Sequence, residues 1–202
     1  MAVAIAGVIG LCAGVAGLIW AHHTARPATP IGHFAITPIP KGHYAAAPQA
    51  AQGPAVAKPV SLDIPAIGVQ TRLIRLGLTS SGAMQVPSTT SVAGWYTGSP
   101  RPGAVGAAVI VGHIDSVSGP GIFFRLPLMK PGELIYVRRA NHSLAVFRVT
   151  AVHQYLKAAF PTSAVYGAVP DAQLRLITCG GAFDFTTHHY LSNIIVFATL
   201  RS

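Results

Sequence analysis

Acidic side chains are the scarcest ingredient of this 202-residue chain, with five Asp and Glu against 14 Lys and Arg and a formal net charge of +9. Those five, Asp63, Asp115, Glu133, Asp171 and Asp184, are too dispersed to announce a calcium-type cluster of oxygen ligands. Charged residues of either sign make up only 9% of the chain, and the basic ones are scattered rather than gathered on an arm or a helix. That balance permits weak attraction to anionic polymers or lipid headgroups, but it does not support nucleic-acid binding. Cysteine is also scarce: Cys12 lies in the apolar opening segment and Cys179 far away in the domain, so an intramolecular disulfide is geometrically implausible. Neither cysteine is followed by the Trp or Tyr of a papain-like signature. No internal repeat and no heptad pattern is present.

Charge is missing altogether from Met1 to Trp20. At about 1.5 Å per residue, a helix of that length matches the hydrocarbon core of a bilayer. The run exceeds the roughly 7–15 residues of a signal-peptide core, no Lys or Arg precedes it, and no convincing cleavage site follows. Trp20, His22 and His23 suit an interface, whereas Arg26 lies on the side that the positive-inside rule would give to the cytoplasm. Residues 1–25 are therefore expected to form a single transmembrane anchor. Residues 26–59 are dominated by Ala, Pro, Gly and Gln, with prolines at 27, 30, 38, 40, 48, 54 and 59. No apolar period recurs there that would build a core, so this is an extended, semi-rigid linker holding a domain of residues 60–202 away from the membrane.

From Val60 onward the pattern becomes mainly β. Short apolar runs at Ser61–Ile67, Thr71–Leu78, Ala107–Val111, Glu133–Val137, Ser143–Val152, Leu174–Thr178 and Ile194–Leu200 are separated by Gly, Pro, Asn and Ser. Seven or eight strands of this kind make either a closed barrel or a sandwich. Helical pieces are expected only as short turns near Ile122–Leu126 and within Tyr155–Val169. The latter is a long connection of the type that forms lids or binding loops.

One stretch invites chemistry: Leu174 to Thr178 is an apolar strand that delivers Cys179 to Gly180-Gly181, read as a turn that stops the strand. Alternation puts Arg175, Ile177 and Cys179 on one face, with Leu176 and Thr178 on the other. A lone cysteine is either a small buried hydrophobe or a nucleophile. His113 is the candidate partner, because Ala107 to Val111 is another apolar strand, ending at Gly112, His113 and a turn. An imidazole beside the sulfur can hold part of it as thiolate and later protonate a leaving amine, while the alternative for His113 is local hydrogen bonding. Asp115 either caps that turn or orients a neighbour. His188, His189 and Asp184 lack a zinc-like spacing and read as a loop. Phe160, Tyr166 and Trp95 fit either a core or an apolar groove.

Taken together, Leu176-Ile177-Thr178-Cys179, Val111-Gly112-His113-Ile114-Asp115 and the N-terminal anchor resemble the sortases, cysteine transpeptidases of Gram-positive cell surfaces. Gly94-Trp95-Tyr96, Phe123-Phe124-Arg125-Leu126, Lys157-Ala158-Ala159-Phe160-Pro161-Thr162, Cys179-Gly180-Gly181 and His189-Tyr190 followed by Asn193 are most similar to the class F sortases of actinobacteria. The resemblance implies an eight-stranded sortase-type β-barrel with short helices on a single-pass membrane anchor, the catalytic domain being extracellular. It implies that Cys179 attacks the Thr–Gly carbonyl of an LPXTG-like sorting signal to form a thioacyl-enzyme, and that His113 protonates the departing amine. The acceptor would be an amine such as a peptidoglycan precursor or a pilin lysine, and water in its place would give a slow protease. The 155–169 connection would wall the substrate groove, with Ile177, Phe160 and Thr162 as substrate contacts. This chemistry requires no metal and no cofactor.

The chain departs from the family at the arginine expected near the start of the strand after the cysteine. The sequence there is Tyr190-Leu191-Ser192-Asn193, and no arginine occurs between Cys179 and Arg201. Arg175, on the face of Cys179, is the first substitute; Arg125 and Arg101 are alternatives, and Asn193 is a further hydrogen-bond donor. The departure keeps a second expectation in play, a catalytically weak barrel that binds surface peptides or envelope polymers.

Overall fold

The structure, a computed structural model, describes residues 55–201. The expected anchor and almost all of the linker lie outside the described residues, and no described helix is long and apolar enough to cross a membrane.

Strand β1 (Pro59–Ile64) stops where Pro65 removes a backbone donor and fixes φ, so the run expected to extend to Ile67 instead finishes in a 3-10 turn, Pro65–Ile67. Gly68, at φ +67°, closes that turn by donating its N–H to the Pro65 carbonyl at 3.2 Å, and β2 (Val69–Leu76) returns antiparallel to β1. A crossover over residues 77–92 then brings β3 (Ala93–Tyr96) parallel to β2. This strand is absent from the apolar runs expected above. All four of its residues are buried, so no in-and-out alternation marks it in the sequence.

Strand β4 (Gly106–Val111) pairs antiparallel with β3 and parallel with β9 (Ala172–Asp184). Between them in sequence come a small hairpin, β5 (Asp115–Ser116) with β6 (Gly119–Pro120), and then β7 (Leu134–Arg139) and β8 (Leu144–Leu156). Strand β10 (His189–Leu200) lies antiparallel between β9 and β8. The order β1-β2-β3-β4-β9-β10-β8-β7 closes through β7 on β1, which resolves barrel against sandwich in favour of the eight-stranded barrel. The helical pieces are short: 3-10 turns at Leu126–Leu128 and Lys157–Ala159, and helix α1 at Thr162–Tyr166.

All eight barrel strands contribute to one apolar cluster, including Leu62, Trp95, Ile110, Val137, Phe147, Leu176 and Val196, which fills the interior. Residues of opposite parity on the central strands, Val109, Val111, Ile177 and Ile195, point out of the barrel and are buried too. Val165 of α1 and Met84 of the 77–92 crossover cover them, with Tyr155, Phe160 and Tyr166 at the margin. Burial on both faces explains why Leu174–Thr178 reads as a continuous apolar run. Leu176 is fully buried in the interior, and Leu176→Ala is expected to cost about 2–5 kcal/mol of stability, measurable as a lowered denaturant midpoint with an unchanged slope.

Candidate active site

The Gly-Gly pair does not end the strand, contrary to expectation. The ladder of β9 with β10 continues past Cys179 to Asp184, with an irregularity between Tyr190 and Ser192. The glycines serve close packing: a Cβ on Gly180 would lie 2.6 Å from Cγ1 of Ile194, and Gly181 sits at φ +74°. Cys179 is therefore held within a paired strand rather than on a loose end.

Strand register brings its neighbours into line. Val111 is level with Ile177, and the Gly112 N–H extends the ladder by donating to the Ile177 carbonyl at 3.1 Å. The ladder ends there, and His113 and Cys179 each follow two residues beyond its last register pair, Val111 with Ile177. On the other side, Cys179 is opposite Asn193 of β10, and Asn193 is opposite Tyr155 of β8. Cys179, Asn193 and Tyr155 thus form a row across β9, β10 and β8 on the outer face, which His113 extends from just beyond the end of β4, under the 77–92 and 157–171 connections. The row is well shielded: His113 is 3%, Cys179 5% and Asn193 0% exposed.

His113 is fixed from several sides. Its Nε2 donates to the Pro87 carbonyl at 2.6 Å; a carbonyl can only accept, so Nε2 carries the hydrogen and the neutral ring keeps its lone pair on Nδ1. Its own carbonyl accepts from the Phe123 N–H at 2.9 Å, and a Cβ on Gly121 would collide with that oxygen, so this glycine is needed for the close approach. Burial pushes the imidazole below its ordinary 6.5, against opposing pulls from the Pro87 hydrogen bond and the charge of Asp115.

Burial likewise pushes the Cys179 thiol above its ordinary 9.0; the charge and hydrogen bond of Lys157 oppose that rise, and Asp115 adds to it. The resting pair is accordingly neutral thiol and neutral imidazole, and thiolate–imidazolium is its minor tautomer. Asp115 accepts a hydrogen bond from the Tyr190 hydroxyl, which ties the β5 hairpin to β10 beside the row. The amide of Asn193 is enclosed, and neither its nitrogen nor its oxygen has a hydrogen-bond partner among the described residues.

The candidate arginines are placed elsewhere. Arg175 is four residues before Cys179 on β9, roughly 13 Å along the strand. Its guanidinium donates to Gln173 Oε1, to the Leu174 carbonyl at 3.2 Å and to the Ala164 carbonyl at 3.3 Å, and it lies 4.6 Å from the centre of the Phe197 ring. Burial lowers its pKa from 12.5 to about 10. Arg101 donates to the Val56 carbonyl at 2.7 Å, and Arg125 is exposed where the Leu126–Leu128 turn begins. Ile177 is fully buried beneath α1, whereas Phe160 and Thr162 are partly exposed, and Phe160 packs on Tyr166 with ring centres 5.9 Å apart. Trp95 belongs to the barrel interior. Asp184 caps its own turn, accepting from the Thr186 N–H and the Thr187 hydroxyl, both at 2.8 Å. Sequence reasoning missed Lys157 at the sulfur. Its only signal was membership of the Lys157–Thr162 motif, because its position depends on where β8 ends.

The barrel is similar to several solved structures. Sortase A from Corynebacterium diphtheriae, a lid mutant, has a TM-score of 0.55 at 23% identity, covering 77% of this chain and 74% of that one. Sortase C-1 from Actinomyces oris has a TM-score of 0.55 at 20% identity, covering 72% and 76%. The pilus-related sortase C of Group B Streptococcus has a TM-score of 0.55 at 18% identity, covering 73% and 69%. No curated protein sequence matches the chain. At these identities the structural likeness speaks for the fold alone. The family described as the sortase domain, however, matches residues 62–201. Because that match runs from β1 to β10 and is no local motif, the chain belongs to the sortase family of cysteine transpeptidases.

Proposed function

We propose that this sortase cleaves an LPXTG-like sorting signal between Thr and Gly, with Cys179 as nucleophile and His113 as acid and base. It then transfers the part of the substrate that ends in Thr, held through its acyl carbon, to an amine of the cell envelope, such as a peptidoglycan precursor or a pilin lysine. The observation that carries this reading is the parallel ladder of β4 with β9, which ends two residues short of both His113 and Cys179 and is extended toward them by the Gly112 N–H on the Ile177 carbonyl, with both residues buried under the same connections. The sulfur attacks the carbonyl carbon, the tetrahedral centre collapses to a thioester, and the leaving amine takes its proton from the imidazolium. An acceptor amine reverses the sequence, giving its proton to the imidazole.

Phe160 and Thr162, at the partly exposed edge of the roof, are the proposed substrate contacts, while the enclosed Ile177 shapes the floor. The uncharged opening run supports a single-pass anchor at residues 1–25, with the 26–59 linker presenting the domain outside the cell. The motifs around Cys179 and Lys157 favour a class F assignment. A second reading, a barrel that binds surface peptides or envelope polymers without turnover, draws on the engagement of the Arg175 guanidinium by Gln173, Leu174 and Ala164.

The full-length chain incubated with an LPXTG-type peptide should yield an acyl adduct on Cys179 by mass spectrometry, and an amide product once an amine is added. Saturable binding with neither adduct nor product would instead select the binding barrel. His113→Ala should keep the fold and reduce transpeptidation by about 10²–10⁴-fold; near-native turnover would remove His113 from its role.

The pH profile follows from the two shifts. The active form carries one proton on the Cys179–His113 pair, so kcat/KM should rise with pH through the imidazole pKa, below 6.5, and fall above the thiol pKa, beyond 9.0. Between these limbs the fraction present as ion pair is constant, and a broad plateau is expected. A narrow optimum near pH 7 would contradict it.

A further inference from the structure

We propose that Lys157 is the cation of the site: its ammonium group stabilises the Cys179 thiolate and then the negative charge that passes to the carbonyl oxygen as the thiolate attacks. This deepens the transpeptidase reading and rests on it for the second of those two roles.

The strand geometry leads to this residue. Strands β8 and β9 run in the same direction on either side of β10, and Tyr155 is level with Asn193 and Cys179. One residue later Leu156 is opposite Ser192, and there β8 ends. Lys157 opens the next 3-10 turn, Lys157–Ala159, at the height of Leu191. That is the part of β10 where the resemblance expects an arginine and this chain carries Tyr190-Leu191-Ser192-Asn193. A cation from the neighbouring strand thus reaches the space that β10 leaves without one.

At the Cys179 thiol, burial raises the pKa, and the charge of Lys157 and hydrogen bonding by it are the influences that pull it back down. Other titratable groups at the row are His113 just after β4, Asp115 on the β5 hairpin, Tyr155 on β8 and Tyr190 on β10, and none of them supplies a fixed positive charge. The guanidiniums of Arg175 and Arg101 are held by partners away from the sulfur.

The chemistry balances with Lys157 keeping its proton throughout. As the carbon–sulfur bond forms, the carbonyl π pair moves onto oxygen, and the negative charge passes from sulfur across the new carbon–sulfur bond to the oxygen on the same carbon. The flexible four-carbon stem of lysine lets the ammonium follow it. Collapse re-forms the carbonyl and breaks the carbon–nitrogen bond, the amine leaving with the His113 proton. In the second half the acceptor's carbon–nitrogen bond forms as the carbon–sulfur bond breaks, through an oxyanion held in the same way. Asn193, enclosed and without partners beside the sulfur, is placed to add a neutral donor.

The test compares the native full-length chain with Lys157→Gln and Lys157→Arg in two readouts. One is the pH dependence of iodoacetamide alkylation, read at the Cys179 peptide so that Cys12 does not interfere; the other is kcat/KM for an LPXTG-type peptide with an added amine. Lys157→Gln should alkylate about tenfold more slowly at neutral pH, with its midpoint moved to higher pH. Its kcat/KM should fall on the order of 10²-fold, and Lys157→Arg should restore most of both. A native alkylation profile in Lys157→Gln would overturn the proposal whatever happens to turnover, because a merely structural lysine leaves the thiol unchanged. Native kcat/KM in that variant would overturn it equally. If alkylation responds as expected and yet the native chain never acylates on any peptide offered, the thiolate-stabilising role of Lys157 stands and the transpeptidase reading falls.

Discussion

The parallel ladder between β4 and β9 is the constraint on which the site depends. These strands are far apart in sequence, and their pairing from Gly106 with Ala172 to Val111 with Ile177 ends two residues short of both His113 and Cys179 and so sets where each strand delivers them. Side chains alternate with a period of two, so a slip of one residue would send either group to the opposite face of the sheet. Such a slip would also turn Ala108 and Ile110, or Leu174 and Leu176, out of the barrel interior. The packing that stabilises the barrel and the geometry that pairs imidazole with thiol are therefore enforced by the same register. Stability and site are coupled through the central strands; β1 and β7 close the barrel behind the site, and β2 also adds Leu76 to the outer cluster.

The second cluster, outside the barrel, turns a sheet face into a shielded site. Met84 and Val165 cover the outward side chains of β4, β9 and β10, and the same connections supply Pro87 to His113 and Lys157 to Cys179. Shielding disfavours charge on both the imidazole of His113 and the thiol of Cys179, pushing one pKa down and the other up. It also strengthens each fixed charge and dipole that remains, because little water competes with it. A dry site with few charged partners thus holds the ion pair as a minor tautomer and gives a nearby cation more leverage than it would have at an open surface.

Much of this was legible in the chain, and the parts that were not share a cause. Strands that alternate or run apolar between Gly and Pro clusters, such as Ala107–Val111 and Leu174–Thr178, declared themselves, and both carry candidate reacting groups at or near their ends. Strand β3 did not, since burial on both faces erases the period-two signal and two of its four residues are Gly94 and Trp95. The Gly180-Gly181 pair suggested a turn because local reading weighs glycine as a breaker, while the structure uses it to admit Ile194 and a positive φ inside a ladder. Arg175 shared a face with Cys179, as alternation required, but sharing a face does not fix distance along the strand or the direction of a long side chain. Lys157 depended on two registers, β8 on β10 and β10 on β9, and on where β8 ends, and no local pattern encodes their product.

The charges around the sulfur form a balance rather than a sum. Asp115 favours the imidazolium of His113 but disfavours the thiolate of Cys179, so alone it would assist one half of the ion pair at the expense of the other. Lys157 acts on the sulfur with the opposite sign, and the Tyr190 hydroxyl anchors the Asp115 carboxylate through a hydrogen bond from β10. With a cation on the sulfur side and an anion felt by the histidine, the field across the row favours moving a proton from thiol to imidazole while both groups stay buried. A lone Asp115 would not produce that gradient, and neither would an arginine held at Gln173. In a chain so poor in acidic residues, one carboxylate on a two-residue strand and one lysine at the end of another are sufficient to orient it, because the register of four strands decides where each of them is felt.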